Sequence, residues 1–382
     1  MKADRGMPGV SVTACRDYTP AECRRALEEA LAPIGGLDWV TAGMRIAVKV
    51  NLVMAKGPEF AATTHPALVC TLCEMLLERG ASVTVGDSPG GPFGQPFMGI
   101  IYASTGMSAV ERTGAQLNRD FTFRTVQAEN AVKASTMQVT SWLMDADAVI
   151  DFAKLKTPGM MGLSCAAKNM FGSIPGLTKT EYHMQYPSHE DFANALVDIV
   201  EFIKPRLCIA DAVYGMEGNG PTAGRPRYIG ALLASKSAHA LDLAAARMIG
   251  LDLTDVPTLA AANQRGLVPA SADELTLHGD IESFTVKDYD LIEMKDITSV
   301  TDNSGLNRIA GAAFTHRPRV EKSECRGCGE CSRICPAHAI TMVNKLPDID
   351  RSKCIRCFCC QEFCRFGAMK VHRPLVSRIL NK

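Results

Sequence analysis

"CIRCFCCQEFC", residues 354–364, repeats the cysteine spacing of "CRGCGECSRICP", residues 325–336. Both read Cys-x2-Cys-x2-Cys-x3-Cys: Cys325, Cys328, Cys331 and Cys335 in the first, Cys354, Cys357, Cys360 and Cys364 in the second, with Cys359 left over. Those nine are most of the 15 cysteines in a 382-residue chain. Three thiols two residues apart, followed by a fourth, suit the corners of an iron–sulfur cubane, whereas tetrahedral zinc takes two separated ligand pairs. The N-terminus "MKADRGMPGVSVTACRDY" has charges and a proline where a leader needs an apolar run, and no later stretch is apolar enough to span a bilayer. The expectation is therefore a cytoplasmic chain whose thiols serve metal rather than disulfides.

The tandem runs resemble the bacterial two-4Fe-4S ferredoxin module over residues 321–374. In that module the fourth cysteine of each run crosses to the other cluster. The resemblance implies one 4Fe-4S cluster on Cys325, Cys328, Cys331 and Cys364 and a second on Cys354, Cys357, Cys360 and Cys335. "AITMV" (339–343) and "AMKVH" (368–372) look like the short strands that pair in such a module, with "PDID" (347–350) as a turn. Arg365 stands where the first run has Pro336, which returns a backbone N–H and adds a cation near a cluster; both can raise its reduction potential. Residues 321–382 hold 12 Lys+Arg and 6 Asp+Glu, a net +6 that leaves −6 on the remainder of a chain with 41 of each. That charge either balances the clusters or forms a docking face for an acidic partner. The chain's zero net charge gives no pull toward nucleic acid or anionic membrane.

Residues 1–295 alternate apolar runs with helical periodicity, which predicts an α/β domain with a mostly parallel sheet and flanking helices. Residues 296–320 read as a linker, 321–374 as the small α+β ferredoxin-like domain and 375–382 as a tail. "MRIAVKV" (44–50) reads as a strand and "HPALVCTLCEMLLERG" (65–80) as a helix capped by Thr64, with Pro66 in its first turn and Gly80 after it. Open parallel sheets bind ligands beyond the carboxyl ends of their strands. Asn51, Asp87, Lys154, Lys156 and Asp211 are all expected just past such ends. Asp87 opens "DSPGGPFG" and Asp211 opens "DAVYGMEGNGPTAG", which contains Asn219. Each of these is either an ordinary turn or a ligand loop whose backbone N–H groups face an anion.

The densest constellation is "KLKTPGMMGLSCAAKNMFGSIPGLTKTEYH" (154–183), which carries Lys154, Lys156, Lys168, Asn169, Lys179 and His183. It is either a solvated basic face or a site for phosphate or carboxylate groups. Lys154 and Lys156 share one side of a strand by the period of two. His65 at a helix start is a further candidate. Cys70 and Cys73 read as core packing, Cys165 as a buried thiol or a reactive one, and His239 as a packed helix residue oriented by Asp242.

"VKVNLV", "TTHPALV", "VTVGDSPGG", "KLKT", "AAKNMFGSIPG" and "DAVYGMEGNGPTAG", in that order, resemble the landmarks of the domain-of-unknown-function family numbered 362, whose members often carry a C-terminal ferredoxin module. Related sequences tend to have His where Pro158 follows "KLKT" here, so any role of that His is absent from this chain. The resemblance implies an iron–sulfur protein and no particular reaction. Three functions stay open. One is an oxidoreductase relaying electrons from a redox partner or external ferredoxin to an anionic small molecule, with Lys168, Asp87, Asp211 and His183 in catalysis. Asn51, His65, Lys154, Lys156, Asn169, Lys179 and Asn219 would then bind the molecule. The second is a non-catalytic carrier or adaptor in a larger redox complex. The third is a ligand-binding or non-redox enzyme domain with structural or sensory clusters. No dinucleotide or P-loop fingerprint is present, and a flavin or further metal in the α/β domain is possible without being indicated.

Overall fold

The computed structural model describes residues 9–158, 160–291 and 316–372. Most of the expected linker (296–315) and the tail (375–382) lie outside the described residues. The chain order is β1 (Val10–Ala14), α1 (Pro20–Leu31), β2 (Arg45–Val50), α2 (Pro66–Leu77), β3 (Ser82–Gly86), α3 (Gln95–Ser104), β4 (Gln116–Leu117), a side hairpin of β5 (Phe123–Gln127) and β6 (Thr136–Thr140), and α4 (Ser141–Met144). There follow β7 (Ala148–Pro158), α5 (Ala166–Asn169), α6 (Thr178–Gln185), α7 (His189–Ile203), β8 (Leu207–Gly220), β9 (Arg225–Ser235), α8 (Ala238–Met248), α9 (Pro257–Gln264) and β10 (Leu277–His278).

These build one eight-stranded sheet in the order β10-β1-β9-β8-β7-β2-β3-β4, in which β9 alone runs against its neighbours. The strands are apolar almost throughout because helices cover both faces. Ile46, Val48 and Val50 of β2 join the core with α1 and α2, while Ala47 joins the opposite core with α5, α7 and α8.

Several local expectations are corrected. His65, not Thr64, caps α2, its Nδ1 accepting from the Ala67 N–H at 3.2 Å. The Thr64 hydroxyl instead accepts from Asn51 N–H and donates to the Phe152 carbonyl, stitching β2 to β7. Strands β7 and β8 run on past the predicted ends, to Pro158 and Gly220, so Lys154, Lys156 and Asp211 lie within strands. "DAVYGMEGNGPTAG" is therefore strand followed by a tight tip leading into β9. Asp242 accepts from the Ala166 and Ala167 N–H groups at the start of α5, and the partner of His239 is Glu201 at 3.1 Å.

In the C-terminal module, α10 (Glu330–Arg333) and α11 (Cys359–Glu362) are single turns within the cysteine runs. β11 (Arg317–Val320) pairs antiparallel with β14 (Met369–His372), and β12 (Ile340–Val343) with β13 (Leu346–Ile349). "AITMV" and "AMKVH" thus pair with other strands rather than with each other. Asn344 and Lys345, both at positive φ (49° and 62°), make the two-residue hairpin turn, and most of "PDID" is strand. Among the described residues no helix is long and apolar enough to cross a membrane.

Candidate functional site

From β2 the chain moves outward to β3 and β4, then returns to β7 on the other side of β2. The sheet therefore reverses its winding between β2 and β7, where an open parallel sheet leaves a crevice. One hydrogen-bonded network fills its floor. Lys49 Nζ contacts Asp87 Oδ1 at 2.9 Å, Asn169 Oδ1 at 2.8 Å and the Val50 carbonyl at 2.8 Å, so its three donors are used. Asn169 also accepts from Asn51 Nδ2 and donates to Asp151 Oδ1 at 2.6 Å. Asn51 Oδ1 in turn accepts from Lys156 Nζ at 2.8 Å. Asp87 accepts the Leu52 and Ser88 N–H groups as well.

Lys156 differs from Lys49 in having no carboxylate. Among the described residues its ammonium meets only Asn51 and the Ala62 carbonyl, which leaves one donor over, and burial, reinforced by the Lys168 charge, pulls its pKa down to about 7. Lys179 donates to the Ser88 and Ile174 carbonyls, and burial brings it to about 7 too. His183 packs against Phe192 with ring centroids 4.4 Å apart; its buried Nδ1 has no partner among the described residues, and burial holds the ring neutral with a pKa of about 4. Lys168 reaches out of α5 to Glu362 Oε1 of the cysteine-rich module at 2.8 Å.

The wall opposite the lysines belongs to that module. Lys49, Asn51, Asp87, Lys156, Lys168, Asn169, Lys179 and His183 share a cavity of about 90 Å³ with Cys359, Glu362 and Phe363. Drug-sized ligand pockets run to roughly 300–1,000 Å³. This cavity falls well below that range. Clasps around α11 close it. Gln361 Nε2 donates to the Gly220 carbonyl at 2.7 Å and to that of Asn219, and the Thr222 hydroxyl donates to the Glu362 carbonyl. The Phe363 ring lies where Gly90 has no side chain. Asn219 thus holds the module rather than lining the cavity, to which its tip contributes Pro221.

Lys154, Asp211 and His65 are not brought into this cavity. Lys154 is tied to Asp211 at 2.8 Å and to Tyr18 Oη at 3.1 Å; Tyr18 also donates to Asp211, and its ring stacks on His65 at 3.5 Å. Asp211 is further saturated by the His65 and Val213 N–H groups. Ala153 and Leu155 join the core opposite to that of Phe152, so Lys154 and Lys156 share one side of β7 as strand periodicity predicts, and it is the Asp211 and Tyr18 partners that keep Lys154 out of the cavity.

Cys331 lies within electrostatic reach of Cys328, Cys364 and Cys325, and Cys354 of Cys357 and Cys335. Cys335, Cys354, Cys357 and Cys360 line a small apolar cavity together with Cys359. The fourth cysteine of each run stands with the opposite triplet, so the chain fits two cubanes. No three His, Cys, Asp or Glu side chains among the described residues converge as a mononuclear ion requires. Cys359 is buried on the cavity wall, its thiol hydrogen-bonded to the Cys357 sulfur. Burial pushes Cys165 far above the usual thiol range, so it is no reactive nucleophile.

Sequence reasoning passed over Lys49, Gly172, Glu362 and Phe363. A lysine inside "RIAVKV", a strand buried on both faces, was the available signal for the first. A Cβ on Gly172 would collide with Asp87 Oδ1 and lie 2.5 Å from Lys49 Nζ, a constraint that only packing reveals.

Two family descriptions match the chain: Domain of unknown function (DUF362) over residues 46–247 and 4Fe-4S dicluster domain over residues 317–365. A thylakoid-associated protein of Synechocystis sp. is 28% identical over 317 residues, covering 80% of this chain and 94% of that protein. Among solved structures, the lactate racemase apoprotein from Thermoanaerobacterium thermosaccharolyticum aligns with a TM-score of 0.39 at 11% identity, over 62% of this chain and 56% of that one. A protein from Thermotoga maritima aligns with a TM-score of 0.35 at 15% identity, over 59% and 56%. The chain spans little more than half the length of those two structures.

Proposed function

The chain belongs to the family described as Domain of unknown function (DUF362) and carries an iron–sulfur domain, and from that premise we propose that it is an oxidoreductase whose substrate is a small anion held between the two domains. The observation that carries this is the shared cavity, lined on one side by Lys156 and Lys168, whose known partners leave ammonium donors over, and on the other by Cys359, Glu362 and Phe363. Cys325, Cys328, Cys331 and Cys364 would hold one 4Fe-4S cluster and Cys354, Cys357, Cys360 and Cys335 the other, and when bound these supply single electrons.

Lys156 and Lys168 bind and orient the anion with the donors that Asn51, Ala62 and Glu362 leave free. Lys156 and Lys179, poised near neutrality, can each give up a proton to a substrate that gains negative charge. Neutral His183 offers a ring nitrogen without adding charge. Asp87 and Lys49 fix Asn169 and Asn51, and through Asn51 the Lys156 ammonium. Lys154, Asp211 and His65 act as scaffold between β7, β8 and α2.

Lys168→Ala tests the reading. In the anaerobic holoprotein, reoxidation of prereduced clusters by a panel of small anions (nitrate, bicarbonate, formate, acetate) should include one accepted at substantial rate. The variant should slow that reaction about 100-fold or more, consistent with a displaced substrate, while the amplitude of cluster reduction by dithionite stays the same. Equal rates in both proteins would sink the assignment of the cavity.

Iron content tests the ligand sets separately. Wild type and Cys359→Ala should both hold about eight iron atoms per chain, and Cys360→Ala about four. Loss of iron in Cys359→Ala with retention in Cys360→Ala would exchange their roles.

A further inference from the structure

On the module, Arg317, Arg351 and Arg356 converge on a cleft of about 290 Å³ whose floor is Cys354. Arg351 and Arg356 are exposed and Arg317 half-buried, and none of the three is paired with an acidic side chain among the described residues. Arg351 is steadied by donating to the Pro318 carbonyl at 2.7 Å. Three unpaired guanidinium groups in one cleft repel one another and create a field that an anionic surface relieves.

The backbone supplies an independent observation. Arg356 has φ +59°, in the left-handed region, and the equivalent position of the first cysteine run is Gly327 at φ +67°. Two positions further on, Phe358 at +56° corresponds to Gly329 at +75°. The loop geometry suits glycine at both positions, and a larger residue is strained there. Phe358 is compensated by burial in the core. The Arg356 side chain is exposed and makes no hydrogen bond or ion pair to another described residue, so no contact of the guanidinium inside the molecule offsets that strain. At Cys328, the exposed edge of the other cysteine set, Arg333 is already paired with Glu330.

We propose that the Arg317–Arg351–Arg356 cleft is the docking site for a small acidic electron-carrier protein of the flavodoxin or ferredoxin kind. One electron passes per encounter: the carrier is oxidised by one electron, and the cluster of the Cys354 set is reduced by one, with no bond made or broken. Electrons are taken up on this side, independently of what binds in the cavity beside Cys359 and Phe363.

The test uses the anaerobic holoprotein and photoreduced flavodoxin as an acidic probe, with a zwitterionic viologen radical as a donor that docks nowhere. In wild type the second-order rate of reduction by flavodoxin should fall steeply with salt, and oxidised flavodoxin should bind in a salt-dependent manner by calorimetry. Arg317→Gln with Arg356→Gly should slow flavodoxin at least tenfold at low ionic strength, flatten the salt dependence and abolish binding, with the viologen rate unchanged within twofold. Arg356→Gly relieves a strained backbone, so its melting temperature should match or exceed wild type. Unchanged flavodoxin rates and binding would overturn the proposal. So would equal slowing by both donors together with a lowered cluster potential, because the arginines would then only balance the clusters' own charge.

Discussion

Lys156→Met is expected to abolish tight small-anion binding at pH 7 and to remove part of a rise in stability that the wild-type protein shows between pH 7 and 10. Free in an unfolded chain Lys156 titrates near 10.5, and burial lowers it to about 7 in the fold. Between those values the unfolded state holds the extra proton, so stability rises with pH, by about 1.4 kcal/mol per pH unit for this one group. Lys179 behaves alike, and its slope remains in the variant. The charges facing Lys156 are Lys168, Glu362, Asp87 and Lys154, and the variant keeps all four. Anion affinity must run the opposite way, because only the ammonium attracts an anion: in wild type it should weaken roughly tenfold per pH unit above pH 7. The methionine variant should bind weakly, without that dependence. Urea unfolding at pH 7, 8 and 9 and calorimetric titration with the anion that reoxidises the clusters measure the two trends. If the variant keeps the wild-type slope in both, Lys156 is not the titrating group. Stability at pH 7 is not expected to fall far in the variant, since losing the buried ammonium offsets the cost of leaving the Asn51 amide oxygen and the Ala62 carbonyl without their donor.

What sets Lys156 apart from the other buried lysines is not legible in the sequence. Parallel strands covered on both faces follow from near-continuous apolar runs, and β2, β3, β7 and β8 were legible for that reason. The cysteine spacing carries its own geometry, since a cubane fixes the distances between its ligands. Lysines do not: Lys49, Lys154 and Lys156 are alike in sequence, each in an apolar strand, yet their roles diverge by partner. Lys49 and Lys154 meet Asp87 and Asp211, residues 38 and 57 positions away, while among the described residues Lys156 meets amide and carbonyl oxygens only. Strand periodicity puts Lys154 and Lys156 on one side, and it is their partners, contributed by distant stretches of chain, that separate their roles. The module's place over the crevice was invisible because it depends on small residues, Gly90 and Gly220, meeting side chains far along the chain, Phe363 and Gln361.

Gly90→Val is the second large effect, and it follows from that meeting. A Cβ at position 90 would collide with Phe363 Cζ and lie 2.5 Å from Cε1, so the ring must leave its groove. Phe363 sits between Glu362, which Lys168 holds, and Cys364, the proposed cluster ligand, so moving the ring shifts one wall of the cavity. The cysteine sets lie wholly within residues 325–364, so iron content and the absorption near roughly 400 nm should be those of wild type. Reoxidation by the bound anion should nevertheless fall about 100-fold, the scale of a reacting group displaced by an ångström. Limited proteolysis should cut the chain faster between the domains once the clasp on α11 loosens. Adding Phe363→Ala removes the collision while Gln361 and Glu362 still hold the Gly220–Thr222 tip, so the double variant should regain part of the lost rate and the wild-type cleavage pattern. A Gly90→Val protein that reoxidises at the wild-type rate would mean that electrons reach the anion without the docked module, and a double variant no better than the single would place the damage in the α/β domain itself.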